Sequence, residues 1–232
     1  MRREELAANL VVVRDRIAAA CTAVGRDASE VTLVAVTKTF PASDVRLLAA
    51  LGVRDVGENR DQEARPKHDD CAGLPLRWHF VGRLQRNKAA SVASYADIVH
   101  SVDRLSLVGA LSAAAQSTQR ELTALVQVSL DERPDPSRGG VPPDLAVELA
   151  EAVATSPGMH LGGVMAIAPL DADAGAMFAR LARVAEQVRA EHPDAGIVSA
   201  GMSGDLEAAI EHGATHVRIG TALLGHRPSP VG

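Results

Sequence analysis

Val31-Thr-Leu-Val-Ala-Val-Thr-Lys38-Thr39 decides the fold. Its apolar, β-branched run is too short for a helix and stops at a charged residue, so it reads as a buried strand that ends just before Lys38. Seven more runs of similar character follow: around Val53–Val56, then Leu76–Val81, Ile98–Ser101, Leu122–Ser129, His160–Ile167, Ile197–Ser199 and His216–Ile219. Helical spacing fills most of the gaps, as in Leu145, Leu149, Val153 and in Phe178, Leu181, Ala185, Val188. Strands that alternate with helices make a parallel sheet. With about eight of them the expected architecture is a single-domain α/β fold over residues 1–232, a (β/α)8 TIM barrel. An open doubly wound sheet is the alternative. Ahead of the first strand, Leu6, Leu10, Val13, Ile17 and Val24 predict an extra N-terminal helix within residues 1–25 that covers the outside or the bottom of the barrel. Residues 228–232 read as a short tail.

The composition fits such a core and narrows the partners. Apolar residues make up 47% of the chain but aromatic ones only 2%, so the interior must be packed with Ala, Val, Leu and Ile. A net charge of -5 argues against a nucleic-acid partner, which needs a basic face. Cys21 and Cys71 are far apart and suggest neither a disulfide framework nor a zinc site. The N-terminus lacks the apolar run of a signal peptide, and no segment is long and apolar enough to span a membrane. A cytoplasmic protein is expected.

In a barrel, the residue after a strand stands at the catalytic rim, and Lys38 stands there. A lysine at a strand end can simply snorkel to solvent. Desolvation at a barrel mouth can instead leave its amine free to attack a carbonyl. Ser199-Ala-Gly-Met-Ser-Gly204 and Arg218-Ile-Gly-Thr221 are small-residue turns after the seventh and eighth strands. There, barrel enzymes frequently bind phosphate. Ser203 reads as a helix N-cap, and Gly204 and Gly220-Thr221 would bring backbone N–H groups to an anion, with Asp205 and Glu207 turned away. Arg218 falls inside the last strand, where a charge is costly unless it is paired. It would face a ligand's ring nitrogen or make a salt bridge, for example to Glu58. Arg83, Arg86 and Lys88 read as a solvated face. His212 and His216 straddle a helix-to-strand switch and do not suggest a metal site. An amine and two anion-ready turns ask for a ligand with an aldehyde and a phosphate, which pyridoxal 5'-phosphate (PLP) satisfies.

The motifs carrying this chemistry also carry a resemblance. They are Ala35-Val-Thr-Lys-Thr39, Gly57-Glu-Asn59 with Gln62-Glu63, Trp78-His-Phe-Val-Gly-Arg-Leu-Gln-Arg-Asn-Lys88, Gly163-Val-Met-Ala-Ile167, Gly201-Met-Ser-Gly-Asp-Leu206 and Arg218-Ile-Gly-Thr-Ala-Leu-Leu-Gly-His-Arg227. From about Val31 to Arg227 the chain resembles the pyridoxal-phosphate-binding homeostasis proteins, single-domain relatives of the alanine racemase barrel. That resemblance implies that Lys38 is the Schiff-base lysine and that Ser203, Gly220 and Thr221, helped by Gly204, hold the phosphate. It further implies that Arg218 approaches the pyridine nitrogen, that Asn59 and His79 line the ring's edge, and that Met165 packs beside it. Two positions depart from the family pattern. Arg60-Asp61 replaces an aromatic-aliphatic pair, and Arg138-Gly139 stands where Lys-Gly is common.

The resemblance implies cofactor carriage: PLP buffered or delivered to PLP-dependent apoenzymes, by a protein expected to be monomeric and without robust turnover. A weak amino-acid racemase is the alternative enzyme. Two-base racemisation needs a second acid/base on the substrate's opposite face. In the racemases this is a Tyr on a C-terminal β-domain of the partner subunit, and no such domain is expected after the last motif here. The sole tyrosine, Tyr95, lies before the fourth strand, away from the site. A Schiff-base aldolase acting on a phosphorylated sugar would explain the lysine and the turns equally well.

Overall fold

The structure is a computed structural model that describes residues 1–131, 138–169 and 171–225. Eight parallel strands close into a barrel in chain order. They are β1 Thr32–Val36, β2 Asp55–Glu58, β3 Arg77–Phe80, β4 Ile98–Val102, β5 Leu122–Gln127, β6 Met159–Met165, β7 Ile197–Ser199 and β8 His216–Ile219. Pairing of β1 with both β2 and β8 closes the ring. Ahead of β1 runs α1, Arg2–Ala23. The crossover helices are α2 Ala42–Ala50, α3 Asp61–Asp70, α4 Ala89–Ala93, α5 Leu105–Thr118, α6 Ala146–Ala154, α7 Ala174–Glu191 and α8 Leu206–Glu211, and a single turn, α9 Thr221–Leu224, follows β8. Parallel neighbours require such crossovers, and the crossovers cover the sheet's outer face.

Strand alternation sorts the side chains into two cores. Between sheet and helices lies an aliphatic shell that includes Val56, Val99, Leu111, Val126, Leu149, Phe178 and Leu181, all buried. A second part of the shell, with Leu6, Leu10, Val13 and Ile17, seats α1 against α2, α8 and α9. Each such side chain contributes about 1.5–3 kcal/mol by leaving water. Inside the barrel the filling is different. Ile98, Leu125 and Met165 form one small apolar cluster, and around it stand Asp55, His79, His100, Ser199, His216 and Arg218.

The opening helix lies on the barrel's outside. Arg16 of α1 binds Glu207 through Nε at 2.8 Å and donates to the carbonyl of Ser203, while Asn9 donates to the carbonyl of Leu223. Thus α1 ties down the segments after β7 and β8. The second strand begins two residues later than its apolar run suggests, because both of its charged ends are paired. Asp55 accepts from Arg77 and meets His79, and Glu58 meets Lys67. Of the Pro-rich loop Asp131–Arg138, residues 132–137 lie outside the described residues, as do His226, Arg227 and the tail 228–232. No helix among the described residues is long and apolar enough to cross a membrane.

Candidate functional site

At the C-terminal end of the strands the mouth opens into a cavity of ≈ 1000 Å³. Lys38, Asn59, Ser203, Gly204, Arg218, Gly220 and Thr221 all line it. Seven residues spread over the length of the chain therefore meet in one space, in keeping with the rule that barrel sites form at the C-terminal strand ends. His79 and Met165 do not line it. Strand alternation turns both inward but one layer below the mouth, where His79 is hydrogen-bonded within the barrel and Met165 packs with Ile98 and Leu125.

Lys38 is exposed in the turn after β1. The turn is held from behind by a buried ion pair. Lys67 of α3 lies against Glu58 and donates to the Thr37 carbonyl at 2.8 Å, and the Thr37 hydroxyl donates to Glu58 at 2.6 Å. Burial pushes the Glu58 carboxyl above its ordinary value, and Lys67 and Thr37 oppose that push. Thr39, directly after the lysine, has φ 69°, a left-handed conformation that a β-branched residue rarely adopts. Strain of this kind persists only where the surroundings enforce it. Across the mouth, Gly82 allows the loop after β3 to touch the end of β2, since a Cβ there would sit 2.1 Å from the Asn59 carbonyl oxygen. The Gly57-Glu-Asn and Val-Gly-Arg motifs are thus two halves of one contact.

The two anion-ready turns lie side by side. Ser203 Oγ accepts from the Ala222 N–H at 3.2 Å, which links the loop after β7 to the start of α9. Ser203 is not the N-cap of α8: Asp205 occupies that position, and its Oδ1 accepts from the Met202 N–H at 2.6 Å. Glu207 is turned outward to Arg16. Among the described residues, no acceptor meets the N–H groups of Ser203, Gly204 and Thr221. Gly201 shapes the turn with φ 90°, and a Cβ there would meet Ala209 at 2.7 Å.

Arg218 reaches the cavity from below and is almost fully buried. Its partners are neutral: Nη1 donates to Ser199 Oγ at 2.7 Å and Nη2 to the Ala166 carbonyl at 2.9 Å. The anticipated pairing with Glu58 does not form, because Glu58 projects from the outer face of β2 toward α3. Burial lowers the Arg218 guanidinium to about 10, so it is still charged at neutral pH.

Sequence reasoning missed other lining residues. Arg83, read as part of a solvated face, and Arg138 both line the cavity. Arg138 donates to the carbonyls of Ile167 and Ala168 at 3.0 Å. Arg83 follows the end of β3 almost as closely as Lys38 follows β1, and that position was the available signal. Of the other departures, Arg60 pairs with Glu63 beside the mouth, and Asp61 is buried and accepts from Ser91. The described lining carries one lysine and three arginines but no carboxylate, imidazole, phenol or thiol. Tyr95 is buried beside His68, away from the cavity. The set suits a dianionic ligand with a carbonyl group. Asn59, whose Oδ1 is buried without a hydrogen-bond partner, still has a polar atom to offer.

Known proteins share this fold. Residues 4–228 match the family model for the alanine racemase N-terminal domain. The pyridoxal phosphate homeostasis protein of Mycobacterium tuberculosis is 45% identical over 97% of this chain and 94% of its own length. The Escherichia coli protein of the same name is 40% identical over 96% and 97%. Among solved structures, PipY of Synechococcus elongatus with PLP bound superposes with a TM-score of 0.82 at 33% identity, covering 95% of this chain and 100% of PipY.

Proposed function

The chain belongs to the pyridoxal phosphate homeostasis protein family, and from that premise we propose that it binds PLP at the barrel mouth and holds the cofactor for delivery within the cell. The observation that carries this reading is the meeting of Lys38, Arg218 and the Ser203 and Thr221 turns in one cavity. When bound, PLP supplies an aldehyde that condenses with a primary amine, and Lys38 is the amine at the rim. Ser203, Gly204, Gly220 and Thr221 receive the phosphate, Arg218 faces the pyridine nitrogen, and Asn59 supplies a polar contact at the ring's edge. A guanidinium that is charged at neutral pH discourages protonation of that nitrogen and would leave the ring a poor electron sink. His79 and Met165 act from the layer below.

Carriage is favoured over racemisation because no second acid/base group lines the cavity among the described residues. PLP-dependent apoenzymes are the recipients this reading implies. The test is the visible spectrum of the purified protein loaded with PLP. A yellow band is expected that borohydride bleaches, with the reduced adduct mapping to Lys38 and no such adduct in Lys38→Ala. An adduct on another lysine, or equal retention by Lys38→Ala, would overturn the assignment. Solvent hydrogen exchange at the α-carbon of alanine would restore the racemase.

A further inference from the structure

Five buried polar side chains form an unbroken line through the barrel interior, each from a different strand. Asp55 Oδ1 lies 2.9 Å from His79 Nε2, and His79 Nδ1 lies 2.8 Å from His100 Nε2. His100 Nδ1 lies 2.9 Å from Ser199 Oγ, which accepts from Arg218 Nη1 at 2.7 Å. The mouth uses only the last of the five. The other four line no part of its cavity.

With a single proton on each ring, the carboxylate end fixes the direction of every hydrogen in the line. A guanidinium only donates and a carboxylate only accepts. Ser199 therefore accepts from Arg218 and gives its own hydrogen to His100 Nδ1. His100 then carries its proton on Nε2 and donates to His79 Nδ1, and His79 carries its proton on Nε2 and donates to Asp55. Both rings are then in the same tautomer. The opposite neutral tautomer of His79 would set a bare nitrogen lone pair against a carboxylate. Arg77 grips the Asp55 carboxylate from the far side at 2.8 Å, so the acceptor end is itself anchored. His216 on β8 is the other titratable neighbour, with its ring centroid 6.2 Å from that of His79 and its Nδ1 turned to Thr215 Oγ1 at 3.0 Å.

We propose that Asp55, His79, His100 and Ser199 are positioning residues for Arg218, a one-way hydrogen-bond line that clamps the guanidinium in a single orientation beneath the mouth. Because Ser199 has one hydrogen, committed to His100, its lone pairs are left facing Arg218, and the carbonyl of Ala166 takes the second guanidinium nitrogen. Four strands thus set the angle of a group on a fifth. For the ligand that Arg218 meets, the inference rests on the proposed function. For the clamp itself it does not.

The experiment is nitrogen-15 NMR of the full chain without cofactor, joined to PLP release trapped by hydroxylamine. In the wild type, His79 and His100 are expected to carry their protons on Nε2 with bare Nδ1, and the Nη signals of Arg218 are expected to be split by slow rotation. Ser199→Ala and the remote Asp55→Asn should merge the Nη signals, and Ser199→Thr should restore them. Loss of a hydrogen bond to a charged group should make PLP leave Ser199→Ala about tenfold faster. A proton on Nδ1 of either ring would overturn the clamp, as would split Nη signals that survive Asp55→Asn. Should that variant not fold, the Ser199→Ala and Ser199→Thr pair makes the same decision. If the wild type takes up no PLP, the proposed function falls while the NMR result still decides the clamp.

Discussion

The shell and the interior of this barrel are built to opposite rules. Outside the sheet, aliphatic side chains such as Leu111, Leu181 and Val188 fill space without a polar partner. Inside it, Ile98, Leu125 and Met165 share the room with two imidazoles in hydrogen-bond contact, a carboxylate and a guanidinium. A barrel interior is usually packed in layers of branched apolar residues. Here the shell supplies the stability and the interior supplies orientation to the mouth. Shell substitutions should therefore change stability without touching the site, whereas substitutions along the interior hydrogen-bond line or at the rim should also change ligand retention.

The largest effect should come from the shell. Phe178→Ala empties a large buried site and should cost about 3–5 kcal/mol in urea unfolding. The release rate of PLP from the folded fraction should not change, and a changed rate would break the division between the two cores. Acid should act on the interior instead. Burial lowers His216 from 6.5 to about 4 and lowers His100 well below 6.5. Between those values the unfolded chain binds more protons than the folded one, so stability rises with pH there and is lost as pH falls through the window. His216 alone should account for about 3 kcal/mol between pH 6.5 and 4. Urea midpoints measured across that range should show the slope in the wild type and in Phe178→Ala alike. His216→Asn should make it shallower, with His100 supplying the remainder.

At the rim the effects should be smaller. Thr221→Ala removes a hydroxyl from the proposed phosphate seat and should speed PLP release about tenfold, or about 1.4 kcal/mol, with the unfolding midpoint unchanged. An unchanged release rate would count against the seat. The smallest effect should come from Thr39→Gly, which relieves the left-handed strain after Lys38 and should stabilise the fold by about 0.5–1 kcal/mol. Calorimetry can resolve that change, and a loss of stability would show that the Thr39 side chain is needed there.

The sequence made the shell legible and the interior mostly illegible. Short β-branched runs alternating with Ala-rich helical spacing depend only on near neighbours, so strand number, order and closure followed from them. The second strand was placed early because its ends, Asp55 and Glu58, find partners that no local pattern shows. Lys38, Ser203, Gly220 and Thr221 were legible because a strand end followed by a small-residue turn is itself a local signal. His79 stood out within its motif, but its depth depends on strand parity and on His100, a partner on the next strand. His100 and Ser199 are 99 residues apart in sequence, and nothing near either one announces the other. Arg83 could have been found by treating every strand end alike.

The way α1 is fastened bears on how the molecule comes into being. Its contacts with Ser203, Glu207 and Leu223 span 187 to 214 residues of chain, and β1 completes the ring only by pairing with β8. Contacts so remote along the chain form late and slow the search for the native state. On the proposed reading, a polypeptide emerging from the ribosome thus carries the Lys38 amine well before the turns after β7 and β8 that would receive a phosphate. Firm capture of the aldehyde would wait for those turns.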